Sequence, residues 1–257
     1  MKRGLYSLAG LVSTTIVGLG AMQFHGIAYG DEYNLAPDLP DNEFHFARLV
    51  YNSPGGFDNR YFSVDWPDAE THFFQGVSRL TRVEIGQQGR MFRLTDDAIF
   101  DYPWLYAVEV GHWYLNTLEA ERLREYLLRG GFMMIDDFHG PNEWAAFVES
   151  MVRVFPDRPI VDIPESDEVL HVLYDLDTKT QIYGIRPLMM GTTYEYGGVD
   201  PHWRGIYDDD GRLMIAINHN MDLGDAWEHA DTPQYPEPLT ALAYRYAVNY
   251  VLYAMTH

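Results

Sequence analysis

The stretch WLYAVEVGHWYLNTLEAERLREYLLRGGFMMIDDFHG, residues 104–140, decides the fold. It opens with WLYAVEV (104–110), rich in strand formers, and breaks at Gly111-His112. Asn116 can cap the helix that follows, and Glu119 three residues on completes a capping-box pair. Ala120, Leu123, Tyr126 and Leu127 recur at helical spacing, and Gly130 supplies the left-handed residue that ends a helix. Phe132-Met133-Met134-Ile135 is then an unbroken apolar run, the pattern of a strand buried on both faces of a parallel sheet. Strand, helix and strand with short joints make a βαβ crossover, so both strands run the same way. Their carboxyl ends therefore share one edge, which places His112 on the same side as Asp136, Asp137 and His139, where open α/β sheets bind ligands.

Toward the N-terminus, FHFARLVY (44–51) reads as a strand that breaks at Asn52-Ser53-Pro54-Gly55-Gly56. A helix is expected over 67–80, with Pro67 in its first turn, Asp68 and Glu70 at its positive end, and Phe73, Phe74, Val77 and Leu80 turned inward. A short strand near 91–94 follows. Toward the C-terminus a helix is expected over 142–154, with Trp144, Phe147, Val148 and Met151 on one side. The span 159–200 is irregular. WRGIY and RLMIAIN, joined by Asp208-Asp209-Asp210-Gly211, form a hairpin, and 218–231 (NHNMDLGDAWEHAD) reads as a polar loop. A final helix from about Pro238 buries Tyr244, Val248, Val251, Leu252 and Met255. The expected class is α/β: a mostly parallel open sheet with helices on both faces, a late β-hairpin and a C-terminal helix.

At 257 residues the chain can bury a full core. Against 38 Asp and Glu stand 18 Lys and Arg, a formal net charge of −20. A field of that sign repels phosphate backbones, so no nucleic-acid partner is expected. There is no Cys, which excludes disulfides, thiolate metal sites and a cysteine nucleophile. At the N-terminus, Lys2-Arg3 precedes a charge-free apolar run from Leu5 to Met22, and Ala28-Tyr29-Gly30 comes just before Asp31. That order is a secretory signal peptide over 1–30, with an uncleaved anchor as the alternative. A periplasmic or secreted protein follows, touching membrane only through that segment if it is retained. Residues 31–42 read as a linker and 43–257 as one α/β domain.

Three groups could carry chemistry. Asp136, Asp137 and His139 at a strand end could bind a divalent cation or supply an acid–base pair, with Asp137 as base and His112 or His139 as its partner. The bland alternative is that an aspartate caps the next helix. His112 after Gly111 is either a site residue or a hydrogen-bonded structural histidine. The loop residues Asn218, His219, Asp222 and Trp227 have the chemistry of a sugar site, a flat ring beside carboxylates and amides, or they turn the chain and close the core. No nucleophile elbow, zinc-protease motif or P-loop is present.

The order FHFARLVY, DYPWLYAVEVGHWYLN, LREYLLRGGFMMIDDFHG and GRLMIAINHNMDLGDAWE, with the closing Tyr-rich helix, resembles the bacterial family catalogued as domain of unknown function 4159 over about 44–256. The resemblance implies a flavodoxin-like sheet similar to the class I glutamine amidotransferase-like fold. It implies no activity, and glutaminase chemistry does not carry over to a chain without cysteine. The expectation is a polar, sugar-like ligand bound, and in an enzymatic version hydrolysed, at the carboxyl edge. The alternative is a non-catalytic component of a cell-envelope complex whose partner is another envelope protein.

Overall fold

Alternation along the central strands sorts the core into two layers. In β3 (Trp104–Val108), Trp104, Tyr106 and Val108 face one side of the sheet while Leu105 and Ala107 face the other. In β4 (Phe132–Asp136), Phe132 and Met134 join the first set, and Met133 and Ile135 the second. Every residue of both strands is buried, as the unbroken apolar runs require. The computed structural model describes residues 44–54, 60–176 and 179–257; the signal-like segment, the linker and Gly55-Gly56 lie outside the described residues.

The remaining strands are β1 (Ala47–Leu49), β2 (Arg90–Phe92), β5 (Val161–Asp162), β6 (His202–Tyr207) and β7 (Leu213–His219). Spatial order across the sheet is β2-β1-β3-β4-β7-β6-β5. The first five in that order are mutually parallel, and β6 runs against its neighbours. Helices α1 (Asp68–Leu80), α5 (Leu223–Glu228) and α6 (Glu237–Thr256) pack on one face. Helices α2 (Thr117–Leu128) and α3 (Gly140–Val154) pack on the other. The chain steps from β1 outward to β2 and later from β3 in the opposite direction to β4, so order reverses between β1 and β3. That reversal opens a crevice at the carboxyl edge.

The βαβ unit is as its sequence dictates. Asn116 Oδ1 accepts from Glu119 N at 3.0 Å and Glu119 Oε2 accepts from Asn116 N at 2.9 Å, a complete capping box. Asn116→Ala is expected to cost about 1 kcal/mol in urea unfolding, because it removes the side-chain acceptor of Glu119 N.

Elsewhere tertiary packing revises the local reading. Pro67 is the N-cap of α1 rather than a first-turn residue, and Leu80 is exposed at its far end. Trp144 and Val148 of α3 are only half-buried, as are Tyr244, Leu252 and Met255 of α6. Val248 and Val251 are buried as expected, and the rest of the buried stripe of α6 runs through Ala243, Tyr246, Ala247, Tyr250 and Ala254. Most consequential, the segment read as a polar loop contains the buried helix α5. The irregular span holds β5 and α4 (Ile185–Met189). No helix among the described residues is long and apolar enough to cross a membrane.

Candidate functional site

Three neighbouring strands leave the sheet at its carboxyl edge through left-handed, non-glycine residues: Glu109 after β3 (φ 54°), Asp137 after β4 (φ 48°) and Asn220 after β7 (φ 63°). Such conformations are uncommon and gather where surrounding structure enforces them, often at sites. The turns are stitched together by backbone bonds: Glu109 N donates to the carbonyls of Asp136 and Asp137, Asp137 N to that of Met221, and Asn220 N to that of Phe138. With Val108 in register beside Asp136, the turns carrying His112 and the twin aspartates do share one rim.

The twin aspartates part company. Asp136, fully buried, continues the strand alternation onto the α5 side of the sheet. Its Oδ2 accepts from Tyr106 Oη (3.1 Å), Leu223 N (2.9 Å) and Gly224 N (2.9 Å). It therefore closes the first turn of α5, and its placement as a ligand contact is corrected to that of an anchor. Asp137 turns away through its positive φ and meets His139 Nε2 at 3.0 Å through Oδ1. Neither caps α3. Its N-terminus is closed by Glu143, which accepts from His139 N, and by Asn220, which accepts from Gly140 N at 2.8 Å.

His112 stands at the mouth, its side chain about one-third exposed. Its Nε2 lies 3.6 Å from a carboxylate oxygen of both Glu109 and Glu143, and its ring stacks on Tyr61 at 3.9 Å. Glu143 raises the imidazole pKa first; burial opposes, and Glu109 raises it further. Glu109 itself is pushed up to about 9, by burial and then by Asp137 and Glu143. Gly111 is required here, because a Cβ would collide with Glu143.

Deeper lie Asp137 and Asp222, both buried, with Asp65 reaching them from the loop before α1. One oxygen of each lies within 4.8 Å of the others. Burial, and then mutual repulsion beginning with Asp137, pushes the Asp65 and Asp222 carboxyls well above the ordinary range. Asp137 is raised likewise, by burial and then by Asp136 and Asp225. Nearby, the buried guanidinium of Arg48 is committed to Glu70 and to the carbonyls of Phe62 and Val64. Asp222 also caps α5, accepting from Asp225 N at 2.8 Å. Two other groups have metal-ligand spacing: Glu109, His112 and Glu143, and Asp225, Glu228 and His229.

Three expected ligand residues lie elsewhere. Trp227 is wholly buried against Phe46, Phe73 and Tyr106, so it closes the core and cannot offer a face to a sugar. Asn218 is wholly buried and accepts from Tyr250 Oη of α6 at 3.0 Å. His219 faces the opposite layer, between Phe138 and Trp144, and burial lowers its pKa to about 4. It lines a separate cavity of about 420 Å³ with His202 and Arg204. Of the expected residues, the crevice brings together His112, Asp137, His139 and Asp222. Sequence reading passed over Tyr61, Asp65, Glu109 and Glu143. Only Glu109 left a trace there, as an acid closing a strand two positions before Gly111.

The family described as a domain of unknown function (DUF4159) matches residues 45–255. No curated protein matches the chain.

Proposed function

The chain belongs to the DUF4159 family, and on that premise we propose that the crevice binds a small polar ligand and acts on it by general acid–base chemistry of the hydrolytic kind. One observation carries this reading: a solvent-reachable imidazole, His112, clamped between the carboxyls of Glu109 and Glu143, with burial pushing Glu109 up to about 9. Titratable groups whose environments separate their pKa values are the usual basis of paired acid and base roles. Glu109, pushed up by burial, is suited to give a proton, and the partly exposed His112 between its two carboxyls to exchange one, with Asp137 held by His139 behind them. Tyr61 and the half-open mouth supply a flat wall for the ligand body. The sugar assignment is withdrawn with Trp227; a hydroxyl- or amine-bearing group is what carboxylates and imidazoles bind. The signal-like N-terminus supports an extracytoplasmic setting.

A thermal-shift panel of polyols, amines and short peptides on the full chain tests the reading. A bound ligand is expected to raise the melting point, and the rise should vanish in His112→Ala and Asp137→Asn. A rise that survives in both variants would remove the crevice as its source.

A second reading, partner binding within an envelope assembly, is favoured by one feature. Met189, Met190, Tyr194, Tyr196 and Val199 are exposed within eleven residues beside the crevice. Association that Met189→Ser and Met190→Ser abolish, with no ligand found, would favour it.

A further inference from the structure

We propose that a trough along α3 binds an amphiphilic monocarboxylate, an acyl chain ending in one carboxylate. Arg204 holds the head, and Val148, Met151, Val152 and Phe155 line the tail. The trough lies on the sheet face opposite α5, apart from the crevice, so the inference goes beyond the acid–base reading and does not need it.

The head group has a cavity of about 420 Å³, between Gly140 and Trp144 of α3 and the ends of β6 and β7. The chain carries a net charge of −20. This wall nevertheless presents Arg204 with two imidazoles, His202 and His219, while the acid on its lining, Asp200, is exposed. Arg204 is fixed in place. Its Cζ lies 4.4 Å over the Trp144 ring, its Nε donates to Asp162 at 3.3 Å, and its Nη1 lies 3.5 Å from His219 Nδ1. His219 Nε2 donates to the Gly140 carbonyl at 3.2 Å, so Nδ1 turns a lone pair to the guanidinium.

These contacts leave one edge of the guanidinium open. Arg204 Nη2 makes no hydrogen bond among the described residues. The edge formed by Nη1 and Nη2 is the one that takes a carboxylate by two parallel bonds. Asp162 is 74 % exposed, and an ion pair that open to water competes weakly. His202 stacks on His219 at 5.6 Å and makes no hydrogen bond among the described residues, so its ring nitrogens are available to the same head. Burial lowers the pKa of both histidines, leaving one positive charge on this wall. One positive charge matches a carboxylate rather than a phosphate dianion.

The second, separate observation is what lies beyond Trp144. The same indole closes another cavity, of about 290 Å³, whose other walls are Val148, Met151, Val152, Phe155, Arg158 and Ile160. Positions 144, 148, 151, 152 and 155 recur at three and four, so they form one flank of α3. From Trp144 to Phe155 the helix rises about 16 Å. Arg158 adds no free charge, because it is engaged by the Tyr207 carbonyl and by Asp209, each at 3.0 Å. Val152 is 56 % exposed on this flank. A small polar ligand would fill the first cavity and leave the second uncovered. A fixed cation at one end of an apolar flank is complementary to a molecule with one charged end and a tail.

Calorimetric titration of the full chain with acetate, hexanoate, octanoate and decanoate, each below its micelle-forming concentration, is the test. One decanoate per chain is expected, with a Kd tighter than about 1 mM. Affinity should rise roughly two- to fourfold per added methylene until the flank is covered. Arg204→Gln should weaken every acid by roughly tenfold. Val152→Glu, at an exposed position, should flatten the dependence on chain length. Circular dichroism checks that both variants fold. The site is overturned by any of four results: no decanoate binding, decanamide binding as tightly as decanoate, wild-type affinity in Arg204→Gln, or an unchanged length dependence in Val152→Glu. Acetate binding as tightly as decanoate would confine the ligand to the first cavity and equally refute the amphiphile.

Discussion

Asp136→Ala is expected to destabilise the fold by about 3–4 kcal/mol, while Asp137→Asn, one residue away, leaves stability unchanged or raises it. The Asp136 carboxylate receives three hydrogen bonds in a fully buried position, two of them from backbone donors of the first turn of α5. Truncation strands Leu223 N and Gly224 N away from water, at about 1–3 kcal/mol for each unsatisfied group, less whatever relaxation recovers. Asp137 instead adds a negative charge to a buried group already crowded by Asp65 and Asp222. Converting it to Asn removes repulsion and keeps the shape. Urea unfolding in the presence of a chelator reads both. Equal losses in the two variants would show that the aspartates share one structural role and would remove Asp137 from the site.

The second large effect is on pH dependence. Glu109 has an ordinary carboxyl value in the unfolded chain and about 9 in the folded one. Between those values the folded state holds a proton that the unfolded state has lost. Its contribution is therefore complete below about pH 4.5 and disappears as pH rises toward 9. Its side chain is 20 % exposed, so partial hydration reduces the full linkage term. On the order of 2–3 kcal/mol should be lost between pH 5 and 8. His219 acts in the opposite direction: its folded value of about 4 means that stability falls as pH drops from 6.5 toward 4. Stability should thus peak in mildly acidic solution. Glu109→Gln cannot ionise at this position, so its stability should fall less steeply than that of wild type from pH 6 to 8.5 and exceed it at the alkaline end, the remaining slope coming from the buried aspartates. A wild type that grows more stable from pH 6 to 8.5 in chelator would show that Glu109 is ionised at rest, and the proton-donor role would go with it.

How legible the site was in the sequence depended on what placed each residue. His112, Asp136 and Asp137 were found because they close strands of one βαβ unit, and strand direction follows from connectivity alone. Their division of labour was not legible. It depends on alternation continuing through Asp136 and breaking at Asp137, where a positive φ swings the side chain out of register. Asp65 sits in a loop with no periodicity, and it reaches the crevice only because α1 packs against the face that α5 also covers. Trp227 was misassigned because LGDAWE is too short to show a helical period among so many polar neighbours. The helix exists because Asp136 and Asp222, 86 positions apart, both serve its first turn.

By itself the sequence determined the α/β class, the parallel strands, the caps of α2 and the edge at which His112 and the aspartates emerge, because periodicity and short connections are local properties. Tertiary structure alone decided which of those side chains meet. Asp65, Asp137 and Asp222 come from three separate loops, and carboxylates that repel one another leave no pattern along a chain. Only the packing of α1 and α5 on the same face of the sheet forces them together.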